Sequence, residues 1–180
     1  MKKKVVLLGL LLIVVVSLGV WAVKSIFFPG ASAQATARDF LIQYYSIPDH
    51  AFYTERLQAS SQGAIEAIDE TYRPFLTEAY LDTFQANREG YDLEAWAYAN
   101  GYTLAIDQLD LSPTSTGTKS NTTFLQYDVT LTVTRESDKA LATVEQSGLI
   151  NADRAKSGYR VSAWQRLNEK DLLYEELYAR

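Results

Sequence analysis

The chain of 180 residues contains no cysteine and only one histidine, His50. The missing thiols exclude disulfide bonds, a thiol nucleophile, thiolate metal sites and the lipid-modified cysteine of a lipoprotein. Tetrahedral zinc sites draw on several Cys and His side chains, so one imidazole does not support such a site. A domain of this composition that is exported must therefore be stabilised by its hydrophobic core alone.

Familiar catalytic and nucleotide-binding motifs are also missing. The sequence has no G-x-S-x-G motif, P-loop or dinucleotide fingerprint. His50 follows Pro48-Asp49 at a predicted helix start, where a surface loop residue is expected rather than a general base. Asp107 and Asp128 fall on the polar faces of predicted strands. An enzyme is therefore the least favoured class, and we predict no catalytic residue, no metal ion and no cofactor.

Acidic residues dominate the chain beyond residue 24. All 22 acidic residues lie there, whereas four of the 17 basic residues are at positions 2, 3, 4 and 24, so a formal charge of 13 minus 22, or -9, remains downstream. A domain of this charge repels phosphate backbones, and we predict no direct binding of nucleic acid. The acidic residues at 66, 69 and 70 are interpreted as a solvated helix flank rather than a calcium site.

The longest apolar stretch is residues 5–23, VVLLGLLLIVVVSLGVWAV, which holds 19 residues without a charge. As a helix this stretch is about 28 Å long, close to the ~30 Å hydrocarbon core of a bilayer. Three lysines precede it and only Lys24 follows, which places the N-terminus in the cytoplasm by the positive-inside rule. We therefore predict a single-pass protein of the cell membrane, with a cytoplasmic head and anchor over 1–28 and an extracellular domain over 29–180.

Removal of this anchor is the alternative. Ala31-Ser32-Ala33 supplies the A-x-A pattern of a signal-peptide cleavage site, so the domain could be secreted after cleavage near Ala33. The apolar run is longer than the core of a typical signal peptide, and residues 24–28 separate it from that site. An uncleaved anchor is therefore favoured.

The hydrophobic period changes from 3.6 to 2 after Gly101. Helices are predicted over 31–47, 51–60, 64–71, 75–84 and 92–99. Strands are predicted over 102–111, with a bulge near Gln108, and over 125–134, 140–150 and 159–167, before a last helix over 169–178. This order indicates an α+β domain in which helices pack on a curved, four-stranded antiparallel sheet.

The helix that ends in FLIQYY, the segment YRPFLTEAYLDTF and the long hairpin strands resemble the nuclear transport factor two-like (cystatin-like) fold over about residues 31–167. That resemblance implies a cone, in which a bent sheet closes over helices around a pocket. Among membrane-anchored members, the layout is similar to the scaffold protein of bacterial conjugation and type IV secretion channels. It is also similar to the small N-terminal domain of some penicillin-binding proteins. The resemblance to the scaffold protein implies a role in assembly, and neither resemblance implies a catalytic residue.

The 12 tyrosines are the most unusual feature of the composition. They either form an aromatic core or line the cone as an amphipathic pocket, with hydroxyls directed at a polar ligand. The candidate pocket residues are Tyr44, Tyr72, Tyr80, Tyr102 and Tyr127. The sequence thus predicts a non-enzymatic, membrane-anchored domain with protein partners. A module that binds a small molecule or cell-wall component is the alternative.

Overall fold

A computed structural model describes residues 32–58, 60–114, 121–135 and 142–167. Over these ranges the chain has an α+β fold, with helices followed by a four-stranded antiparallel sheet. No helix in these ranges is both long and apolar enough to cross a membrane. The predicted span at 5–23, the domain boundary at 28/29 and the last predicted helix at 169–178 lie outside the described residues.

The helical half, as far as the structure describes it, contains four α-helices and one π-helical turn. They are α1 (Ala33–Tyr45), the π-turn (Tyr53–Leu57), α2 (Ser61–Tyr72), α3 (Glu78–Ala86) and α4 (Glu89–Asn100).

Side-chain caps determine where three of these helices begin. The hydroxyls of Ser32, Ser60 and Thr77 each accept a hydrogen bond from the backbone N–H three residues later, at 3.2, 2.9 and 3.3 Å. The cap at Ser60 starts α2 three residues before the predicted position. Helix α4 ends at Gly101, whose φ of 65° lies in the left-handed region that glycine adopts readily. The predicted stop at Asn100-Gly101 is confirmed.

The predicted helix over 51–60 is wrong in length. Asp49 Oδ1 accepts the backbone N–H of Ala51 at 2.9 Å, as predicted, but only a short helical stretch follows. It widens into the π-turn, where the N–H of Gln58 donates to the carbonyl of Tyr53, five residues earlier, at 2.8 Å. Only Leu57 of the π-turn is buried, so this segment lacks the apolar stripe that would stabilise a longer helix.

The sheet has the strand order β1-β2-β3-β4, and all neighbouring strands are antiparallel. Alternate residues of β2 are buried, which confirms the predicted two-sided strand. The strands are β1 (Tyr102–Pro113), β2 (Thr122–Arg135), β3 (Ala142–Ala155) and β4 (Gly158–Arg166).

The predicted bulge in β1 is confirmed at Asp107. Ile106 pairs with Leu131 and Gln108 pairs with Thr130, so Asp107 is the extra residue. The added residue reverses the alternation of faces and returns Leu109 to the buried side, where it is 8% exposed.

Strand β3 extends further than predicted. Asp153, expected in a turn over 153–158, pairs with Arg160, and Ala155 pairs with Gly158. The connection is therefore the two residues Lys156 and Ser157, since longer pairing satisfies more backbone hydrogen-bond groups.

The helical layer covers one face of the sheet and touches both of its edges. Helix α1 buries the face that contains Phe40, Leu41, Tyr44 and Tyr45. The backbone of Ile47 exchanges hydrogen bonds of 2.9 and 2.8 Å with Leu104 on β1. The segment between α2 and α3 bonds Val161 on β4 in the same way, through Phe75 and Thr77.

Gly148 provides a test of this packing, because it lies opposite Tyr127 on β2. A Cβ atom at Gly148 would lie 2.2 Å from the carbonyl oxygen of Gln165 and 2.4 Å from a ring carbon of Tyr127. We expect Gly148→Ala to lower the free energy of unfolding by about 3 kcal/mol through overpacking. Chemical denaturation followed by tryptophan fluorescence measures this.

Gly101→Asn is the matched control. A Cβ at this position meets no atom within 4 Å, and asparagine tolerates the left-handed backbone. Its cost should stay under about 1 kcal/mol. Equal stability of the two variants would contradict the close approach of Tyr127 to Gly148.

Candidate functional site

Four of the five predicted pocket residues lie in the core. Tyr44, Tyr72, Tyr102 and Tyr127 are at most 4% exposed, whereas Tyr80 is half-buried.

The rings of Tyr44, Tyr72 and Tyr127 belong to one aromatic cluster between α1 and the sheet. Tyr44 packs on Trp164 with 4.5 Å between ring centroids, and Tyr72 packs on Phe84 at 4.9 Å. Phe40 contacts Tyr44, Tyr72 and Trp164. The rings fill this interior themselves, and Phe40, Phe84 and Trp164 were not among the predicted pocket residues.

Hydrogen bonds satisfy the polar atoms at the centre of this cluster. The hydroxyl of Tyr127 accepts the indole N–H of Trp164 at 3.0 Å and lies 3.3 Å from the hydroxyl of Tyr45. Burial raises the pKa of both tyrosines, that of Tyr45 well above its usual value. The two phenols therefore remain neutral hydrogen-bonding groups near neutral pH.

Tyr80 and Tyr102 are held by other contacts. The Tyr80 hydroxyl lies 3.1 Å from Glu89 Oε2 and 3.2 Å from the carbonyl of Trp164. The Tyr102 hydroxyl accepts a hydrogen bond from Arg135 at 2.7 Å, and the same guanidinium lies over the ring, 5.0 Å from its centroid. The Tyr80 ring also packs edge-on against Phe84, with centroids 6.2 Å apart, so the structure brings four of the five tyrosines into one cluster.

An open cleft of about 630 Å³ lies on the helical side of the domain, and we call it the helical cleft. It is bordered by the C-terminal half of α1, the loop that follows, the end of α2 and α4. A volume of this order is typical of small-molecule sites. Its walls are apolar and a few polar groups converge on it: Ile42, Pro48, Phe52, Pro74 and Phe75, with Gln43, Ser46, Asp49, Thr71 and Glu94.

The chemically distinctive group of the helical cleft is the carboxyl of Glu94 on α4. Its Oε2 atom is buried and has no hydrogen-bond partner among the described residues. Burial, and to a lesser degree the Asp49 carboxylate, raises the pKa of Glu94 to about 7. A carboxyl group with this pKa gains or loses a proton near neutral pH, and such groups are concentrated at functional sites.

His50 lies in the loop that borders the helical cleft. The sequence predicted a surface position, but the residue is half-buried and its ring packs edge-on against Tyr98, with centroids 5.6 Å apart. Its Nδ1 atom is buried and no described residue hydrogen-bonds to it.

The other acidic candidates face solvent, as predicted. Asp107 and Asp128 are exposed, and Asp107 accepts a hydrogen bond from the hydroxyl of Thr132. On the flank of α2, Asp69 pairs with Arg73 and Glu70 pairs with Arg56. In the part of the chain that the structure describes, no three His, Asp or Glu side chains form a group that could hold a metal ion.

The sequence pattern did not point to Glu94. The only local signal is an acid next to Leu93 and two residues before Trp96, both of which are buried. The raised pKa depends on the loop at Asp49 and on the packing of α4 against α2, which are tertiary features.

No family model matches the chain, and no curated protein matches it. Among solved structures, the chain is similar to the intermembrane space region of the chloroplast protein ARC6, at 13% sequence identity and a TM-score of 0.36. That match covers 77% of this chain and 98% of the other. A likeness at this level carries no inference about function.

The ionisation of Glu94 predicts how stability varies with pH. The folded pKa of about 7 exceeds the usual 4.5, so the neutral carboxyl favours folding below about pH 4.5 and this contribution is lost as pH rises through 7. Between pH 4.5 and pH 8, the free energy of unfolding of the wild type should fall by roughly 2 kcal/mol more than that of Glu94→Gln. Urea denaturation of both proteins across this range measures the difference.

Glu66→Gln is the control, because Glu66 is an exposed acid on α2. Its stability should follow the wild-type pH profile. Parallel profiles for the wild type and Glu94→Gln would contradict the raised pKa.

Proposed function

We propose that the chain is a non-enzymatic, single-pass membrane protein whose extracellular domain binds partners or assembles with them. The observation that carries this proposal is the uncharged 19-residue run, with three lysines before it and one after it.

The start of α1 supports an uncleaved anchor within this proposal. Ser32 caps α1 and Ala33, the first helical residue, is only 6% exposed. Cleavage after Ala33 would remove the cap, at a cost of about 1 kcal/mol. We therefore keep the secreted form as the alternative.

The order of the elements supports a nuclear transport factor two-like fold. Helices precede a four-stranded antiparallel meander, and the bulge at Asp107 provides a bend in its first strand. A short basic head, one span and an external α+β domain together fit a subunit of a bacterial conjugation or type IV secretion complex.

The helical cleft supports the second candidate function, binding of a small molecule or cell-wall component. Aromatic rings occupy the space between α1 and the sheet, whereas the cleft is open and has apolar walls. A ligand would therefore bind on the helical side.

The proposed topology is readily tested because the chain has no native cysteine. We expect Ser157→Cys, in the exposed turn between β3 and β4, to react with a membrane-impermeant maleimide on intact cells. Lys4→Cys should react only after the cells are permeabilised, because residue 4 is in the cytoplasmic head. The opposite pattern would overturn the topology, and labelled Ser157→Cys protein of reduced mass in the medium would establish secretion.

Photo-crosslinking tests the assembly role. Ile42 lines the helical cleft and is 43% exposed, so a benzophenone amino acid at this position should form crosslinked species in membranes. The same probe at Ile65 on α2, which is 47% exposed and lies outside this cleft, should give at most a background level. Recovery of an uncrosslinked monomer at both positions would contradict assembly through this face.

A further inference from the structure

We propose that the helical cleft binds a primary ammonium group carried on a short apolar chain, with the ammonium against Glu94 and the chain between Ile42 and Phe75. This inference rests on the binding role proposed above and specifies the chemistry of the ligand. It applies to a small amine rather than to the side chain of a protein partner, because the cleft volume of about 630 Å³ matches a small-molecule site.

Charge complementarity favours a cation. Of the ten residues that line the helical cleft, two are acids, Asp49 and Glu94, and none is Lys, Arg or His. The described residues leave the buried Oε2 of Glu94 without a hydrogen-bond donor. An ammonium group in the cleft supplies the opposite charge for the Glu94 carboxylate and hydrogen-bond donors for the polar lining.

The apolar walls require the remainder of the ligand to be apolar. The side chains of Ile42, Phe52 and Phe75 would cover a hydrocarbon chain, and burial of its methylene groups favours binding. The hydroxyls of Ser46 and Thr71 and the amide of Gln43 provide further acceptors for ammonium protons. A strongly hydrated inorganic cation would gain nothing from these walls.

Binding should depend on pH through Glu94, because only its ionised form attracts the ammonium. The other titratable groups that act on it are Asp49 from the loop before the π-turn and Tyr72 from α2, whereas the ring of His50, in the same loop, packs against Tyr98. Burial and the Glu94 charge both raise the pKa of Tyr72, so that phenol stays neutral. With a pKa of about 7, the ionised fraction of Glu94 increases about tenfold from pH 6 to pH 8.

The test uses n-hexylammonium as the probe and the full chain in lipid nanodiscs, with empty nanodiscs as the blank. Calorimetric titration should show saturable binding whose affinity rises about tenfold from pH 6 to pH 8. Methyl NMR should show a shift at Ile42 and none at Ile65. Hexan-1-ol and hexanoate, which have similar chains, should bind at least tenfold more weakly at pH 8.

Variants then assign the effect to Glu94. In Glu94→Gln the affinity at pH 8 should fall at least tenfold and the pH dependence should disappear, whereas Glu66→Gln should behave as the wild type. The same tenfold rise in His50→Asn would show that the imidazole does not cause it. The wild-type pH series and the comparison with hexan-1-ol decide the question even if Glu94→Gln fails to fold.

Equal binding of hexan-1-ol, pH-independent binding or absence of binding would overturn the inference. Other results would contradict the proposed function, namely a reversed topology or a lack of crosslinks at Ile42. Crosslinks at Ile42 without hexylammonium binding would show that the cleft contacts a protein partner instead.

Discussion

Between α1 and the sheet, the hydroxyl of Tyr127 accepts a hydrogen bond from the indole N–H of Trp164, and this contact constrains its surroundings. A buried indole N–H is costly unless it has an acceptor, so β2 and β4 must keep the register that brings the two side chains together. The Tyr127 ring also lies against Gly148, where no side chain fits. The hydroxyl of Tyr45 on α1 lies 3.3 Å from that of Tyr127, so α1 belongs to the same arrangement. Three strands and a helix are thereby fixed around one phenol.

This arrangement places an aromatic cluster in the interior. Tyr45 and Tyr127 are hydrogen-bonded within it, and burial raises the pKa of both phenols. Glu94 instead lies at the border of the helical layer, where its carboxyl is partly buried and has no hydrogen-bond partner among the described residues. Placing an acid there costs stability at neutral pH, a cost that is common at functional sites. The helical cleft thus contains a described acid whose pKa is raised to about 7.

The parts of the fold that follow from local pattern were predictable from the sequence. The alternation on β2 and the change of parity that placed a bulge near Gln108 are both confirmed, as is the stop at Gly101. The turn after β3 was placed too early, because polar residues such as Asp153 tolerate either a turn or an exposed strand position and backbone pairing decides between them. The candidate site was less predictable still. The pKa of Glu94 depends on its burial and, to a lesser degree, on Asp49, which is 45 positions away in sequence. A hydrophobic period contains no information about such tertiary contacts.

The cap at Ser32 also limits how far the domain reaches from a membrane. In the proposed topology, nine peptide units connect Val23, the last residue of the span, to Ser32, where α1 begins. Even fully extended, these units span only about 30 Å. In that topology the domain would be confined to a thin layer above the bilayer, where a short tether would produce local concentrations of roughly millimolar for any partner held in the same membrane. Weak contacts between the domain and its partners would then be sufficient for assembly, whereas the same contacts would be negligible between free proteins in dilute solution.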